Sequence, residues 1–349
     1  MAVKEKKSSL RDIAKESGVS LKTVSRIVRG EVTSHKPSTC EKVLAVAERL
    51  KYRPNLAAGA VFGRQTRTVG MMIPFSDDGD HYSKLVKGAH DELIRNNYAP
   101  LLIFANEELG LMDQVNHLID RRVDGILLRP MYESVDRDLL KGVTESSTPL
   151  VVVNRSAATS QNIDSVAPDY YGIGVLAAQS FIDAGHKEAA YLSIDYTGEI
   201  PGAQPNDQRW AGFSETLKKA GRSAILCSRQ RKDLDIKAMA EELLNRPQPV
   251  TAIFVYTDRW CLEVYTIARK LGLSIPKDLS VIGCGNTGLC ASMDPPLTSI
   301  DTRPYEMGVL SASRLLRMIE DKFSKSEAVY KKVENITLPP KLMVRGSNS

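Results

Sequence analysis

Residues 9–26 read SLRDIAKESGVSLKTVSR, and their pattern predicts the architecture of the amino-terminal part of the chain. Apolar side chains recur at helical spacing in its first half, which predicts a helix over Leu10–Ser17. Ser9 is the candidate N-cap of that helix, and Asp12 is placed to complete a capping box. Gly18 suits the left-handed backbone that ends many helices. The stretch therefore predicts a short helix followed at once by a tight turn.

Two further helical patterns follow that turn. Ser20 can cap a second helix over residues 21–29. Ser38 can cap a third helix over residues 39–51, with Glu41 completing a second capping box. The predicted inner faces of these two helices carry Val24, Ile27, Val43, Ala47 and Leu50. Two helices joined by a tight glycine-containing turn are typical of a helix-turn-helix.

The net charge is unevenly distributed along the 349 residues. Residues 1–68 contain 15 Lys and Arg against 6 Asp and Glu, a net charge of +9, whereas the remainder contains 32 against 36, a net charge of −4. A basic segment on a nearly neutral body indicates contact with nucleic acid or another acidic surface. A solvated basic tail is the alternative.

The second predicted helix begins with side chains suited to a DNA groove. In a helix-turn-helix, residues at the start of the second helix reach base edges. Leu21 is suited to a thymine methyl group, and Lys22 and Arg26 can donate to guanine O6 and N7. The residues suited to phosphate oxygens are Ser20, Thr23 and Ser25. A three-helix domain that binds another protein is the alternative.

Four segments carry a specific resemblance to a known family, because their order and spacing match as well as their residues. They are LRDIA at 10–14, SGVS at 17–20, TVSR at 23–26 and YRPN at 52–55. Together they resemble the opening of the LacI/GalR family of bacterial transcription regulators. The resemblance implies that Leu21, Lys22 and Arg26 read the DNA sequence. The full set of DNA contacts that it implies is Leu10, Ser20, Leu21, Lys22, Thr23, Ser25, Arg26, Arg29, Tyr52, Asn55, Ala58 and Val61.

The segment after Asn55 reads LAAGAVF over residues 56–62 and is too short to form a stable helix alone. In the family that it resembles, this hinge folds on specific DNA, and a Leu wedges the minor groove. Here Gly59 stands where Arg is usual and Val61 where the wedging Leu is usual. We therefore expect a weaker DNA kink, which a bend equal to that of Leu-hinged relatives would contradict. Ordinary linker packing is the alternative interpretation of these residues.

From residue 68 onward, apolar runs of strand length alternate with amphipathic runs of helical length. The apolar runs cover residues 69–73, 101–105, 125–128, 150–153, 189–194, 251–255 and 279–283. This alternation predicts parallel, doubly wound sheets, and the length favours two lobes. Small molecules bind such sheets beyond the carboxyl ends of their strands, so the predicted pocket is the cleft between the lobes.

The resemblance continues through AGH at 184–186, QRWAGF at 208–213, PPLTSI at 295–300 and LPPKLMVR at 338–345. It implies a type I periplasmic-binding-protein-like sensor whose effector is a sugar or sugar derivative. The pocket residues that it implies are Tyr82, Asn154, Asp169, Arg209, Thr257, Asp258 and Gly285. Tyr82 can stack a ring, and Arg209 can fork two donors to a ligand.

The remaining pocket positions differ in the roles that their side chains could have. Asn154 and Asp169 can hydrogen-bond hydroxyl groups. Asp258 fits best as a support at the start of its helix, and a plain helix N-terminal charge is the alternative. Gly285 stands where relatives often carry Asp, and Thr257 where Asn is usual. Because these changes remove acceptors for hydroxyls, we do not expect an ordinary hexose. A bulkier ligand, an anionic ligand and loss of small-molecule response all stay open.

Catalytic motifs are missing from the sequence: we find no GxSxG, HExxH, P-loop or post-strand GxGxxG pattern. The five His and five Cys are scattered along the chain, and their spacing indicates neither a metal site nor a disulfide framework. His186 is expected to cap a helix end, and Cys284 and Cys290 to pack in the core. We expect no enzyme activity, cofactor, export signal or membrane span, and hence a cytoplasmic protein. A solute-binding carrier and an architectural DNA binder are the other classes.

The predicted fold is α + α/β: a helix-turn-helix three-helix domain over residues 1–54, a hinge helix within residues 55–67, and the two-lobed sensor over residues 68–349. The first lobe is expected to hold residues 68–166 and 300–329, and the second lobe residues 167–299 and 330–349. The expected partners are a pseudo-palindromic double-stranded DNA operator, a small-molecule effector and a second copy of the chain. We expect a dimer that represses transcription, because no leucine-heptad helix and no activation segment is recognisable.

Overall fold

The computed structural model describes residues 8–28, 35–52, 65–74, 79–106, 109–130, 142, 143, 145–155, 163–195, 208–324 and 333–348. The chain divides into two compact units, Met1–Thr66 and Arg67–Ser349. The predicted DNA contacts that lie outside the described residues are Arg29, Asn55, Ala58 and Val61, together with the hinge positions Gly59 and Phe62. The predictions for the hinge therefore stay predictions.

The first unit holds three short helices, α1 (Leu10–Ser17), α2 (Leu21–Ile27) and α3 (Pro37–Arg49). The capping box at the start of α1 is confirmed, because the Ser9 hydroxyl accepts from the Asp12 backbone and the Asp12 carboxylate accepts from the Ser9 backbone. Gly18 ends α1 with a φ of 67°, in the left-handed region, as predicted.

The predicted start of α3 was wrong. The helix begins at Pro37 with Lys36 as its N-cap, and no side chain caps it, so Ser38 and Glu41 do not form the expected box. Proline at the first helical position explains the earlier start, because its fixed φ suits a helix and its missing N–H would have had no helical partner. The three helices enclose one apolar core made of Ile13, Val24, Ile27, Cys40, Val43, Val46 and Ala47.

The second unit contains two six-stranded sheets. The first sheet has the strands β1 (Thr68–Pro74), β2 (Ala99–Ala105), β3 (Gly125–Leu128), β4 (Leu150–Val153), β5 (Asp164–Pro168) and β11 (Asn335–Leu338). Their spatial order is β11-β5-β4-β3-β1-β2, and every neighbouring pair is parallel. Strand β2 lies at one edge of this sheet.

The second sheet has the strands β6 (Glu188–Asp195), β7 (Ser223–Gln230), β8 (Ala252–Val255), β9 (Ser280–Cys284), β10 (Thr298–Asp301) and β12 (Lys341–Met343). Their order is β12-β10-β9-β8-β6-β7, with β12 antiparallel to β10 and the other pairs parallel. The predicted two-lobed, parallel α/β architecture is confirmed.

One part of the predicted lobe assignment differs from the structure. Residues 330–349 were assigned to the second lobe, but Asn335–Leu338 pairs in parallel with Asp164–Pro168 in the first sheet. The chain then returns to the second sheet at Lys341–Met343. The connections between the lobes thus follow β5, β10 and β11. Such a long-range pairing has no signal in local periodicity.

Helices cover the faces of both sheets. In chain order they are α4 (Gly79–Arg95), α5 (Leu111–Asp120), α6 (Tyr170–Asp183), α7 (Gln208–Lys219), α8 (Ile236–Leu244), α9 (Asp258–Lys270), α10 (Leu289–Ser292) and α11 (Pro304–Ser324). Among the described residues, no helix combines the length and the apolar character that a bilayer crossing requires.

Glycines allow one helix pair in each lobe to touch backbone to backbone. A Cβ built on Gly88 of α4 would lie 2.0 Å from the carbonyl oxygen of Tyr305 on α11. A Cβ on Gly212 of α7 would lie 2.1 Å from the carbonyl oxygen of Tyr171 on α6. The second contact places Arg209, one turn before Gly212, beside the start of α6. Close helix packing thereby positions a predicted pocket residue.

Candidate nucleic-acid interface and effector cleft

Helix α2 presents its predicted base-reading side chains to solvent. Leu21 is 44% exposed, and Lys22 and Arg26 are also exposed. Val24 and Ile27, on the opposite side of the same helix, are buried in the three-helix core. The helix therefore has one face fixed by packing and one face available to a groove.

The polar residues flanking that face serve the fold as well. The Ser20 hydroxyl accepts a hydrogen bond from the Thr23 backbone N–H at 3.2 Å and donates to the Thr23 hydroxyl at 2.9 Å, so the predicted cap of α2 is confirmed. Leu10 and Tyr52 pack against the helical core, and burial raises the pKa of the Tyr52 hydroxyl. Ser25 is partly buried beside the exposed face.

The cleft of the second unit brings together residues from both lobes. The Tyr170 hydroxyl, at the start of α6, donates to the backbone carbonyl of Asn154 at 2.7 Å. Asn154 follows β4 and adopts a φ of 57°, which turns the chain at the carboxyl end of the first sheet. Asp169, immediately before α6, accepts from the Gly172 N–H at 2.8 Å and caps the helix. Three elements therefore meet at this point.

Arg209 lies between two aromatic rings in the same region. Its guanidinium carbon is 5.2 Å from the centre of the Tyr170 ring and 4.5 Å from that of Tyr256. One Nη1–H donates to the Tyr256 carbonyl at 2.9 Å. On the first lobe, the guanidinium carbon of Arg129 lies 5.9 Å from the ring of Tyr82. The cleft between the lobes is thus lined by Tyr82 and Asn154 of the first lobe and by Asp169 and Arg209 at the start of the second lobe.

Asp258 is fully buried and supports a neighbouring loop. Its Oδ1 accepts from the Ser299 hydroxyl at 2.6 Å, and its Oδ2 accepts from the Thr287 N–H at 2.8 Å. Gly285 has a φ of 128°, and a Cβ there would lie 3.3 Å from the Asp258 carboxylate. An Asp at position 285 would be strained by this backbone and would face a like charge. Thr257, the N-cap residue of α9, is buried.

The loop that Asp258 supports also contacts the first lobe. The Gly288 N–H donates to the Asp80 carboxylate at 2.9 Å, and the Lys84 ammonium donates to the Asn286 carbonyl at 3.2 Å. Asp80 and Lys84 are themselves paired at 2.9 Å on α4. Burial opposes ionisation of Asp80, but the hydrogen bonds from Lys84 and Gly288 outweigh it and lower the pKa of the carboxyl group. No sequence motif predicted this contact between lobes.

Arg129 and Arg155 were also missed from the sequence. Arg129 comes directly after β3, and Arg155 comes two residues after β4. The rule that ligands bind beyond the carboxyl ends of parallel strands would have found both. His81 had no such signal, because it lies in the first turn of α4 and reaches the cleft only through the packing of the lobes.

His81 is held neutral in the folded protein. Burial lowers its pKa from 6.5 to about 4, the charges of Arg129, Arg209 and Lys84 add to this effect, and Asp301 opposes it. Its Nδ1 lies 3.4 Å from the Thr302 hydroxyl. The His81 imidazole therefore binds a proton less readily in the folded protein than in the unfolded chain.

We expect this histidine to make stability depend on pH. The unfolded chain binds the extra proton below pH 6.5, whereas the fold resists it down to about pH 4, so stability falls as the pH falls through this window. The upper limit of the loss is about 3 kcal/mol. Thermal unfolding of His81→Gln should show a weaker pH dependence over this range, whereas His117→Gln, at an exposed position, should retain that of the parent. An unchanged slope in His81→Gln would contradict this prediction.

Three other predicted positions have structural roles. The backbone N–H of His186 closes the end of α6, while its ring bridges the hydroxyls of Thr251 at 2.8 Å and Ser280 at 3.0 Å. Cys284 and Cys290 are buried as free thiols, consistent with packing. Within the described ranges, no group of three His, Cys, Asp or Glu is placed to hold a metal ion.

Comparisons with known proteins agree with this arrangement. Residues 9–55 match the model of the bacterial regulatory proteins of the lacI family, and residues 178–348 match that of the periplasmic binding protein-like domain. Catabolite control protein A of Priestia megaterium is 34% identical over 343 residues, which cover 96% of this chain and 98% of that protein. The HTH-type transcriptional repressor PurR of Mannheimia succiniciproducens is 28% identical over 346 residues, which cover 97% and 98%.

Solved structures with the same fold include the lac repressor dimer bound to operator and an anti-inducer, with a TM-score of 0.77 and 24% identity over 98% of this chain and 99% of that one. A LacI family regulator of Enterococcus faecium with bound ribose has a TM-score of 0.66 and 25% identity over 81% and 98%. The fold and site thus define a helix-turn-helix DNA-binding protein with a two-lobed sensor. The chain belongs to the lacI family of bacterial regulatory proteins, and it is a transcription regulator rather than an enzyme.

Proposed function

We propose that the protein is a cytoplasmic, dimeric repressor whose DNA affinity is set by a small molecule bound between the lobes of its sensor. The observation that carries this proposal is the pairing of a basic helix-turn-helix, with Lys22 and Arg26 exposed on α2, with a cleft lined by both lobes. Because coupling between two ligands is reciprocal, an effector that changes the affinity for the operator has its own affinity changed by the operator by the same factor. Relatives that are named repressors support repression.

In this proposal the exposed face of α2 reads the operator. Leu21 contacts a thymine methyl group, and Lys22 and Arg26 donate to guanine edges in the major groove. Ser20, Thr23 and Ser25 contact phosphates, which set orientation without reading sequence. Leu10 and Tyr52 also contact the DNA in this proposal, and both pack on the helical core.

Replacing Lys22 by alanine is expected to weaken operator binding by about 1–3 kcal/mol, because a base-reading donor is lost. Binding to random DNA should fall much less. The matched control is Lys15→Ala, an exposed lysine on α1, which should affect operator and random DNA equally. Fluorescence anisotropy on both DNAs measures the two ratios. An equal loss on both DNAs for Lys22→Ala would identify a phosphate contact instead.

A second copy of the chain is the partner that we propose for one edge of the first lobe. Leu102 and Phe104 of β2 are 38% and 55% exposed, and Ile94 at the end of α4 is 50% exposed. Leu102 and Phe104 pair in register with the buried Met71 and Ile73, so both project from the sheet face that α4 covers. We call Ile94, Leu102 and Phe104 the first-lobe edge surface.

An apolar edge strand beside an apolar helix position is a surface that soluble proteins normally cover. Two copies related by a two-fold axis would cover it and would present two helix-turn-helix units to the two half-sites of a pseudo-palindrome. The lac repressor, which shares the fold, is a dimer on its operator and supports this choice of partner.

The alternative proposal is a regulator without small-molecule control. Gly285 and Thr257 favour it, because neither supplies the carboxylate or amide that was expected to bind hydroxyls. The ribose-bound relative supports a working cleft instead. Operator affinity measured with and without a panel of sugars, phosphorylated sugars and nucleosides separates the two proposals. An affinity that changes with one compound supports the effector-controlled regulator. An affinity that no compound changes supports the alternative.

A further inference from the structure

Guanidinium groups converge on the cleft from both lobes. Arg129 and Arg155 follow strands β3 and β4 of the first sheet, and Arg209 lies in the first turn of α7 in the second lobe. Burial raises the pKa of the Tyr170 hydroxyl, and the charges of Arg155, Arg209 and Arg129 all act against that rise. The Tyr170 hydroxyl donates to the carbonyl of Asn154, the residue before Arg155, at 2.7 Å, and the Tyr170 ring lies 5.2 Å from the guanidinium carbon of Arg209.

The best-positioned of these groups is Arg209. Tyr170 and Tyr256 contact it at ring distances of 5.2 and 4.5 Å, and the Tyr256 carbonyl accepts one of its N–H groups. A guanidinium fixed in this way loses little conformational freedom when it forks two donors onto an oxyanion. Arg129, near the Tyr82 ring, approaches from the opposite lobe.

The carboxylates described around the same cleft already accept hydrogen bonds from this chain. Asp258, Asp169 and Asp301 each have donors within their own part of the fold. These donors are Ser299 and Thr287 for Asp258, Gly172 for Asp169, and Asn286 and Arg303 for Asp301. Alongside these carboxylates, Arg129 and Arg209, which also donate to the carbonyls of Pro130 and Tyr256, bring two permanent positive charges to the cleft.

We propose that the effector carries an anionic group, a phosphate or a carboxylate, which Arg209 and Arg129 bind from opposite lobes while Tyr82 and Tyr170 contact the remainder of the molecule. This inference rests on the proposed function of the cleft as the effector site, and it selects one of the ligand classes that the sequence left open. Because the two arginines belong to different lobes, an oxyanion between them would draw the lobes together. Lobe closure is then coupled to the charge of the ligand.

Matched pairs of compounds test the charge directly. The full-length protein is titrated calorimetrically with neutral hexoses and nucleosides, with their phosphate esters, and with the corresponding sugar acids. We expect the tightest charged compound to bind at least about 100-fold more tightly than its neutral parent, because charge-assisted hydrogen bonds replace neutral ones. The phosphate and sugar-acid arms distinguish the two sources of negative charge.

Charge-changing variants assign the effect to named residues. Arg129→Gln should reduce the preference for the charged compound by about 10-fold, and Arg209→Lys, which keeps the charge but loses the planar fork, should do the same. Lys87→Gln makes the same charge change at an exposed position of α4 and should leave the preference intact. Melting temperatures without ligand show which variants remain folded. The comparison of charged compounds with their neutral parents is made on the unsubstituted protein and does not depend on any variant.

The outcomes separate this inference from the proposed function. Neutral compounds that bind as tightly as their charged partners, and change operator affinity, would contradict the anionic effector and leave the effector cleft standing. If no compound changed either heat or operator affinity at millimolar concentration, the effector cleft itself would be contradicted, and the anionic effector with it. A charged compound preferred equally by the protein and by Arg129→Gln and Arg209→Lys would place the anion elsewhere and overturn the inference.

Discussion

Replacing Gly212 by alanine is expected to destabilise the sensor unit by about 3 kcal/mol or more, at the upper end of the usual cost of overpacking. The added Cβ would lie 2.1 Å from the carbonyl oxygen of Tyr171, so α6 and α7 would have to separate. The atoms that the added Cβ would meet all belong to the backbone of α6, so no flexible side chain can move aside. A fall of roughly 6 °C or more in the midpoint of thermal unfolding would accompany such a loss.

The matched control for this substitution is Gly288→Ala. A Cβ at Gly288 meets nothing within 4 Å, and its φ of −58° suits any residue. Its unfolding midpoint should therefore stay within about 1–2 °C of the parent, in the range of neutral surface substitutions. If Gly212→Ala melted at the same temperature as Gly288→Ala, the close contact between α6 and α7 would be wrong.

Replacing Phe104 by aspartate is expected to dissociate the dimer. The substitution places a charge on the first-lobe edge surface, where each copy would have to desolvate it against an apolar neighbour. Monomers engage one half-site instead of two, so operator affinity should fall by about 100-fold or more through the loss of avidity. Analytical ultracentrifugation reports the mass, and anisotropy on operator DNA reports the affinity.

Val344→Asp is the control for introducing a charge at an exposed apolar position. Val344 is 70% exposed and lies just after β12 in the other lobe. This variant should keep the mass and the operator affinity of the parent. A Phe104→Asp protein that stayed dimeric would show that the second copy binds a different surface, although the DNA-reading face would be unaffected.

Local chemistry explains which helices the sequence could predict. Helix α1 was predicted to the residue because Ser9, Asp12 and Gly18 act within one or two turns of the chain. The start of α3 was missed because two N-terminal signals compete there. Pro37 fits the first helical position without a side-chain cap, and it overrides the box expected from Ser38 and Glu41.

Long-range packing explains what the sequence could not supply. Strand β11 belongs to the first sheet because it pairs with β5, some 170 positions earlier in the chain, and nothing in its own residues specifies that partner. In the cleft, Asn154 was predicted from the family resemblance, and the carboxyl-end rule would locate both Asn154 and Arg129. The contact of Asp80 with Gly288 depends on how two lobes meet, and neither residue carries a motif.

Selection of binding sites from a random DNA pool by the full-length protein shows whether it reads DNA sequence under the control of a small molecule. The selection is run with and without a panel of sugars, phosphorylated sugars and nucleosides. We expect one enriched pseudo-palindrome, with half-sites spaced for a dimer, whose recovery changes when one compound is added. No enriched sequence at moderate salt, where non-specific phosphate binding is weakened, would contradict a sequence-reading regulator.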